Sequence, residues 1–94
     1  MRITYAQAAR ADLNQAYWYI ARHSPVAARR ALARVIRTIE QIATGNIHGR
    51  EVQLLTGESV RKRIARPYGI YYQVIGDTLE VARVYHLSRR SIER

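Results

Sequence analysis

Ninety-four residues bound a single domain with a modest core, one that removes about 60–65% of the unfolded chain's surface from water. Sixteen basic residues against seven acidic ones give a formal charge of +9, which attracts polyanions and opposes self-association. The absence of cysteine excludes disulfides and thiolate metal sites, and the three histidines lack ligand spacing, so neither a metal nor a cofactor is expected.

Residues 2–5 are β-prone and short, a strand completed by later segments. Over residues 8–22 the apolar positions Ala9, Leu13, Ala16, Tyr17 and Ile20 recur with helical period, leaving Trp18 and Tyr19 off the stripe. Ser24-Pro25 then predicts a helix restart, with serine as N-cap and proline in the first turn. The second helix runs over residues 25–43, with Ala28, Leu32, Val35, Ile39 and Ile42 inward and Ile36 and Ala43 widening that face. Arg29, Arg30, Arg34 and Arg37 fall mostly on the other side, and Gly45-Asn46 supplies the stop. Two helices joined by so short a break pack antiparallel.

Residues 45–59 read as a long connection, with a short strand or turn around 52–55. From Ser59 the period changes to two: Val60, Lys62 and Ile64 alternate with Arg61, Arg63 and Ala65. Residues 68–75 and 79–86 form two further strands joined by Gly76-Asp77, a two-residue hairpin turn. That turn pairs Ile75 with Thr78, Val74 with Leu79, Tyr72 with Val81 and Tyr68 with Tyr85. Tyr68, Ile70, Tyr72, Val74, Leu79, Val81 and Tyr85 then share the core face, while Tyr71, Gln73, Glu80, Ala82, Val84 and His86 point to solvent or a partner. The same register sends Arg83 inward, where a lone guanidinium costs several kcal/mol, of order. It must pair, with Asp12 as a candidate, or a β-bulge must turn it around. The order is β-α-α-β-β-β, an α+β fold with a helical hairpin followed by a three-stranded antiparallel meander.

The last third concentrates eight basic residues and one histidine on this meander: Arg61, Lys62, Arg63 and Arg66, then Arg83 and His86, then Arg89, Arg90 and Arg94. Lys62 is the only lysine in the chain. Arginine offers a planar, permanently charged fork suited to carboxylate and phosphate, so an anionic target is expected.

Three strings carry a resemblance: ARADLNQAYWYIARHSPVAARRAL, the pair Gly49-Arg50, and RPYGIYYQVIGDTLEVARVYHLSRR. In order and spacing they resemble the RelE/ParE superfamily of bacterial toxins from type II toxin–antitoxin modules, closest to the ParE branch. The resemblance implies a small antiparallel sheet with a helical hairpin on one face. It implies a growth inhibitor of the cytoplasm, with no membrane partner, neutralised by an antitoxin encoded beside it. The antitoxin's acidic or amphipathic segment would lie along the helical hairpin or add a strand to the sheet. ParE-type toxins poison DNA gyrase; RelE-type toxins cut messenger RNA on the ribosome.

The residues favour the ParE branch. RelE-type toxins carry an arginine directly after the tyrosine that opens the hairpin, whereas Tyr68 is followed here by Gly69. They also end on a tyrosine beyond the hairpin, and none follows His86. The target-binding candidates are Arg61, Lys62, Arg63, Arg66, His86, Arg89 and Arg90. A nuclease would have to use Arg63, His86 and Arg89. Trp18, Tyr71 and Arg83 are the candidates for antitoxin contact.

Overall fold

A computed structural model describes residues 1–94. The elements are β1 (Arg2–Tyr5), α1 (Gln7–Ala21), α2 (Pro25–Ala43), β2 (Arg50–Gln53), β3 (Ser59–Ala65), β4 (Tyr68–Ile75) and β5 (Thr78–His86). They build one sheet in the order β1-β5-β4-β3-β2. The α+β architecture is as expected, and the meander begins one strand earlier, at β2. β1 closes the far edge by pairing parallel to β5, Arg2 opposite Thr78 through Tyr5 opposite Val81, which makes the sheet mixed.

The two helices form for local reasons. Ser24 Oγ accepts from the Ala27 N–H at 3.1 Å, and Pro25 begins α2. Along α2, Ala28, Ala31, Val35, Ile39 and Ile42 are buried at successive turns. Of these, Val35, Ile39 and Ile42 share one apolar cluster with Ile70, Tyr72, Leu79, Val81 and Val84 on the sheet. Each such aliphatic side chain removed from water contributes about 1.5–3 kcal/mol. α1 buries less: Ala9 and Asp12 are covered, and Leu13 and Ala16 pack at the margin. No helix is long and apolar enough to cross a membrane.

The β4–β5 hairpin corrects part of the expected register. Near the turn the pairs are as expected, Ile75 with Thr78, Val74 with Leu79 and Tyr72 with Val81. Gly76, at φ +60°, takes the left-handed position that a two-residue turn requires. Between Tyr71 and Tyr72 the register shifts, because Ala82 is an extra residue in β5. Tyr68 therefore faces His86 rather than Tyr85. Beyond the bulge every side chain of β5 changes face. Val84 joins the core and Tyr85 moves to the outer face, the reverse of the expected placement. Val74 keeps its register but extends past the helices and is half exposed.

The outer face is not an open polar surface. Leu54, Val60 and Tyr71 are buried there in a second apolar cluster, with Val52, Tyr85 and Ile92 packed against it. The chain after β5 supplies the cover. Leu55 N–H donates to the Ile92 carbonyl at 2.8 Å, and Arg94 N–H to the Gln53 carbonyl at 2.9 Å, so residues 92–94 run antiparallel along the end of β2.

Gly49 sits where backbones nearly touch. A Cβ there would lie 2.7 Å from the Lys62 carbonyl oxygen and 2.9 Å from Tyr72 Oη. Its N–H donates to that same phenol oxygen at 2.6 Å, satisfying a fully buried tyrosine. Gly49→Ala is expected to cost about 1–3 kcal/mol as overpacking against a strand that cannot retreat. Urea unfolding measures it; an unchanged midpoint would show that the 48–50 segment gives way freely.

Candidate functional site

Three strand ends meet at one end of the sheet: Ala65 at the close of β3, Tyr68 at the start of β4 and His86 at the close of β5. Arg66 occupies the β3–β4 turn. Leu87 N–H donates to the Pro67 carbonyl at 2.9 Å, which holds the chain after β5 against that turn. Arg66, Arg89 and Arg90 are thereby gathered at this end, all exposed and none in an ion pair. The Arg89 guanidinium lies over the Tyr85 ring, 4.6 Å from its centroid, a contact that orients the charge without neutralising it. Arg34 of α2 adds a further cation. Burial pushes the Tyr68 phenol above its ordinary pKa, and the field of Arg34 partly offsets that push.

His86 packs edge-on against Tyr68, with ring centroids 5.3 Å apart. Its Nδ1 accepts from the Ser88 N–H at 3.1 Å and lies 2.7 Å from Ser88 Oγ. An accepting Nδ1 places the proton of the neutral ring on Nε2, so the imidazole presents a donor there. It forms no pair with a carboxylate. An open cleft of about 430 Å³ lies beside it, lined by Gln15 and Tyr19 of α1 together with Tyr68, His86, Ser88 and Arg89. Asp12 also lines this cleft, its carboxylate engaged by Arg83, and Arg89 is the one arginine on its rim.

The other candidates lie elsewhere. Arg61 and Arg63 project from the helix-side face of β3. Arg61 Nη1 donates to the Gly49 carbonyl at 3.0 Å and Arg63 Nη1 to the His48 carbonyl at 3.3 Å, so both brace the segment before β2. Arg63 is thus two strands from His86, and the three nuclease candidates do not converge. Lys62 points to the outer face, where its side chain is 10% exposed and its ammonium is paired with Glu93. Among the antitoxin-contact candidates, Trp18 is 63% exposed on α1, edge-on to Tyr17. Tyr71 is only 2% exposed, beneath the C-terminal segment.

Arg83 is paired with Asp12. Its Nε donates to Asp12 Oδ2 at 2.8 Å and its Nη2 to Asp12 Oδ1 at 2.9 Å. The Val84 N–H donates to Oδ2 at 2.9 Å. β1 pairs only as far as Val81, so Asp12 occupies the strand edge that β1 leaves uncovered. The fork raises the Arg83 pKa further, chiefly through its hydrogen bonds to Asp12. Both remedies for Arg83 that the sequence suggested, a partner and a bulge, are present together.

Arg34, Tyr19 and Ser88 were missed as parts of the basic end, because nothing in the sequence brings a helix arginine beside the start of β4. Glu93 carried a signal: it is the only acidic residue after Glu80, set in a run of arginines. Its carboxylate receives the Lys62 ammonium and, at 2.8 Å, the Tyr71 hydroxyl, with Arg50 Nη2 at 3.7 Å. These cations, Lys62 foremost, hold the Glu93 pKa below the usual carboxylate range. Burial, reinforced by Glu93, pushes the Tyr71 phenol far above the ordinary tyrosine value.

The chain is thus a helical hairpin laid on one face of a small mixed sheet, with the exposed arginines Arg66, Arg89 and Arg90 outside any ion pair. The family model for the ParE toxin of the type II toxin–antitoxin system parDE matches residues 3–90, and the chain belongs to that family. In three dimensions it is similar to a chain of the chromosomal ParDE toxin–antitoxin system from P. aeruginosa. The TM-score is 0.73 at 21% identity, over 93% of this chain and 96% of that one, a likeness of fold. No curated protein matches the sequence.

Proposed function

We propose that this ParE-family toxin acts in the cytoplasm by contact, holding DNA gyrase through the basic end of its sheet, and that a cognate antitoxin neutralises it. The observation that carries this reading is the separation of charges. Arg66, Arg89 and Arg90 are unpaired and gathered, while Arg63, which a nuclease would need beside His86, is two strands away and bonded to a backbone carbonyl. Likeness to the chain from a ParDE system supports an antitoxin as partner. Exposed Trp18 and Tyr19 on α1 offer it an apolar foothold beside the basic surface.

The test is a supercoiling and cleavage assay on purified gyrase with the toxin and its His86→Ala variant. Trapped double-strand breaks from both proteins, within about threefold of each other, are expected of a contact inhibitor. A general acid or base contributes about 10²–10⁴-fold, so a His86-dependent loss of that size would indicate chemistry. An inert gyrase reaction, together with His86-dependent cuts in ribosome-bound message, would replace this reading with ribosome-dependent cleavage.

A further inference from the structure

Arg89 and Arg90 lie on a segment, residues 87–91, that forms neither helix nor strand and is pinned to the sheet at its two ends. At the near end Leu87 N–H donates to the Pro67 carbonyl at 2.9 Å, and Arg89 N–H turns back to the His86 carbonyl at 3.1 Å. At the far end Leu55 N–H donates to the Ile92 carbonyl and Arg94 N–H to the Gln53 carbonyl. Between the pins, Arg90 and Ser91 make no backbone hydrogen bond. The far pin is completed by side chains. Ile92 packs on Leu54, Val60 and Tyr71, and the Glu93 carboxylate receives the Lys62 ammonium and the Tyr71 hydroxyl. Lys62 passes beside Gly69 on its way to Glu93. A Cβ at Gly69 would lie 3.2 Å from Lys62 Cε and 3.3 Å from Leu87 Cδ2, so a larger residue would press on the lysine and on the near pin together.

Resting on the reading that the basic end holds gyrase, we propose that Glu93 is a positioning residue: clasped by Lys62 and Tyr71, it holds Arg89 and Arg90 in place before the target arrives. By charge alone Glu93 opposes an anionic target, and its removal raises the formal charge of +9 by one. Its contribution is therefore geometric. A free tail would order two long side chains and the backbone that carries them only on binding, which weakens association by about tenfold. A clasped tail has met that entropic cost during folding. The clasp also acts apart from the main core, because its apolar cluster is separate from the one beneath the helices. Lys62, although it sits in a basic run, is in this account the anchor of the surface and not a part of it: its side chain is 10% exposed, and its ammonium is committed to Glu93.

The experiment follows binding to purified gyrase by biolayer interferometry, and the order of the tail by amide nitrogen relaxation, on the full chain and its variants. In Glu93→Ala the amides of residues 89–91 are expected to gain motion on the ps–ns timescale while those of β4 and β5 do not. Affinity is expected to fall about tenfold, against the direction that charge alone dictates. Tyr71→Phe removes one hydroxyl from the clasp, keeps the ring and leaves the charge unchanged; a fall of about threefold is expected. The exchange of Lys62→Glu with Glu93→Lys keeps the net charge and restores an ion pair, and is expected to recover most of the tail order and of the affinity. Circular dichroism confirms that each variant is folded. Binding that is unchanged or tightened in Glu93→Ala would overturn the proposal, and so would a tail that stays ordered without the carboxylate. An exchange variant that recovers tail order but no affinity would do the same. An unaltered chain that does not bind gyrase would instead overturn the function proposed above, and the relaxation of Glu93→Ala would then decide the clasp by itself.

Discussion

Asp12→Ala is expected to lower the thermal midpoint by about 8–32 °C. Asp12 is buried at the uncovered edge of β5, where it accepts both prongs of Arg83 and the Val84 N–H. Removing it leaves a guanidinium without its partner and a buried backbone donor unpaired. Breaking a buried pair costs about 3–5 kcal/mol, and the partial exposure of Arg83 moves the expectation to about 2–4 kcal/mol. In a domain of this size each kcal/mol shifts the midpoint by about 4–8 °C. Asp12→Asn keeps an acceptor for the Val84 N–H and is expected to recover part of the loss. Calorimetry on Asp12→Leu, Arg83→Leu and the double variant closes the cycle: the double is expected to be clearly less destabilised than the sum of the singles. Additive losses would mean that the pair is incidental, and that Asp12 matters only as a cap for the strand edge.

Reversing charge at the basic end is expected to abolish growth arrest while leaving the fold intact. Arg66, Arg89 and Arg90 are exposed and form no ion pairs, so Arg66→Glu, Arg89→Glu and Arg90→Glu together forfeit little stability. The principal loss is the contact of Arg89 with Tyr85, about 0.5–1 kcal/mol. Association with an anionic target is a different matter, because steering by clustered charge raises on-rates by about 10–10³-fold. The triple variant should therefore bind slowly, lose most of its dependence on salt concentration and permit growth on induction. The comparison variant, Arg29→Glu with Arg30→Glu on the exposed side of α2, changes charge elsewhere and should retain toxicity. Equal effects of the two variants would show that only net charge matters, and the sheet end would lose its claim to be the site.

Much of the architecture was legible because it is local. The bounds of α2 follow from Ser24-Pro25 and Gly45-Asn46, and its inward stripe from the 3.6 period. The Gly76-Asp77 turn gave correct pairing as far as Tyr72 and Val81, since a two-residue turn leaves no freedom over the next few pairs. The problem posed by Arg83 was also visible, and so was Asp12 as its remedy. Of the basic set, the residues just outside the strands, Arg66, Arg89 and Arg90, came together as a surface. Those inside β3 did not: Arg61, Lys62 and Arg63 alternate between faces, Lys62 pairing with Glu93 and the two arginines donating to the Gly49 and His48 carbonyls.

The amino-acid pattern by itself determined two helices, a terminal hairpin, a basic bias toward the C-terminal third and the family to which these belong. Only the tertiary structure decided that β1 lies parallel on β5, that Ala82 bulges and turns Val84 inward, and that residues 92–94 cross to β2 and close the outer face. The physical reason is range. Periodicity and turn chemistry are carried by neighbours a few residues apart, whereas an extra residue in a strand, or a carboxylate seated 31 positions from its lysine, is chosen by contacts that form only once the sheet exists.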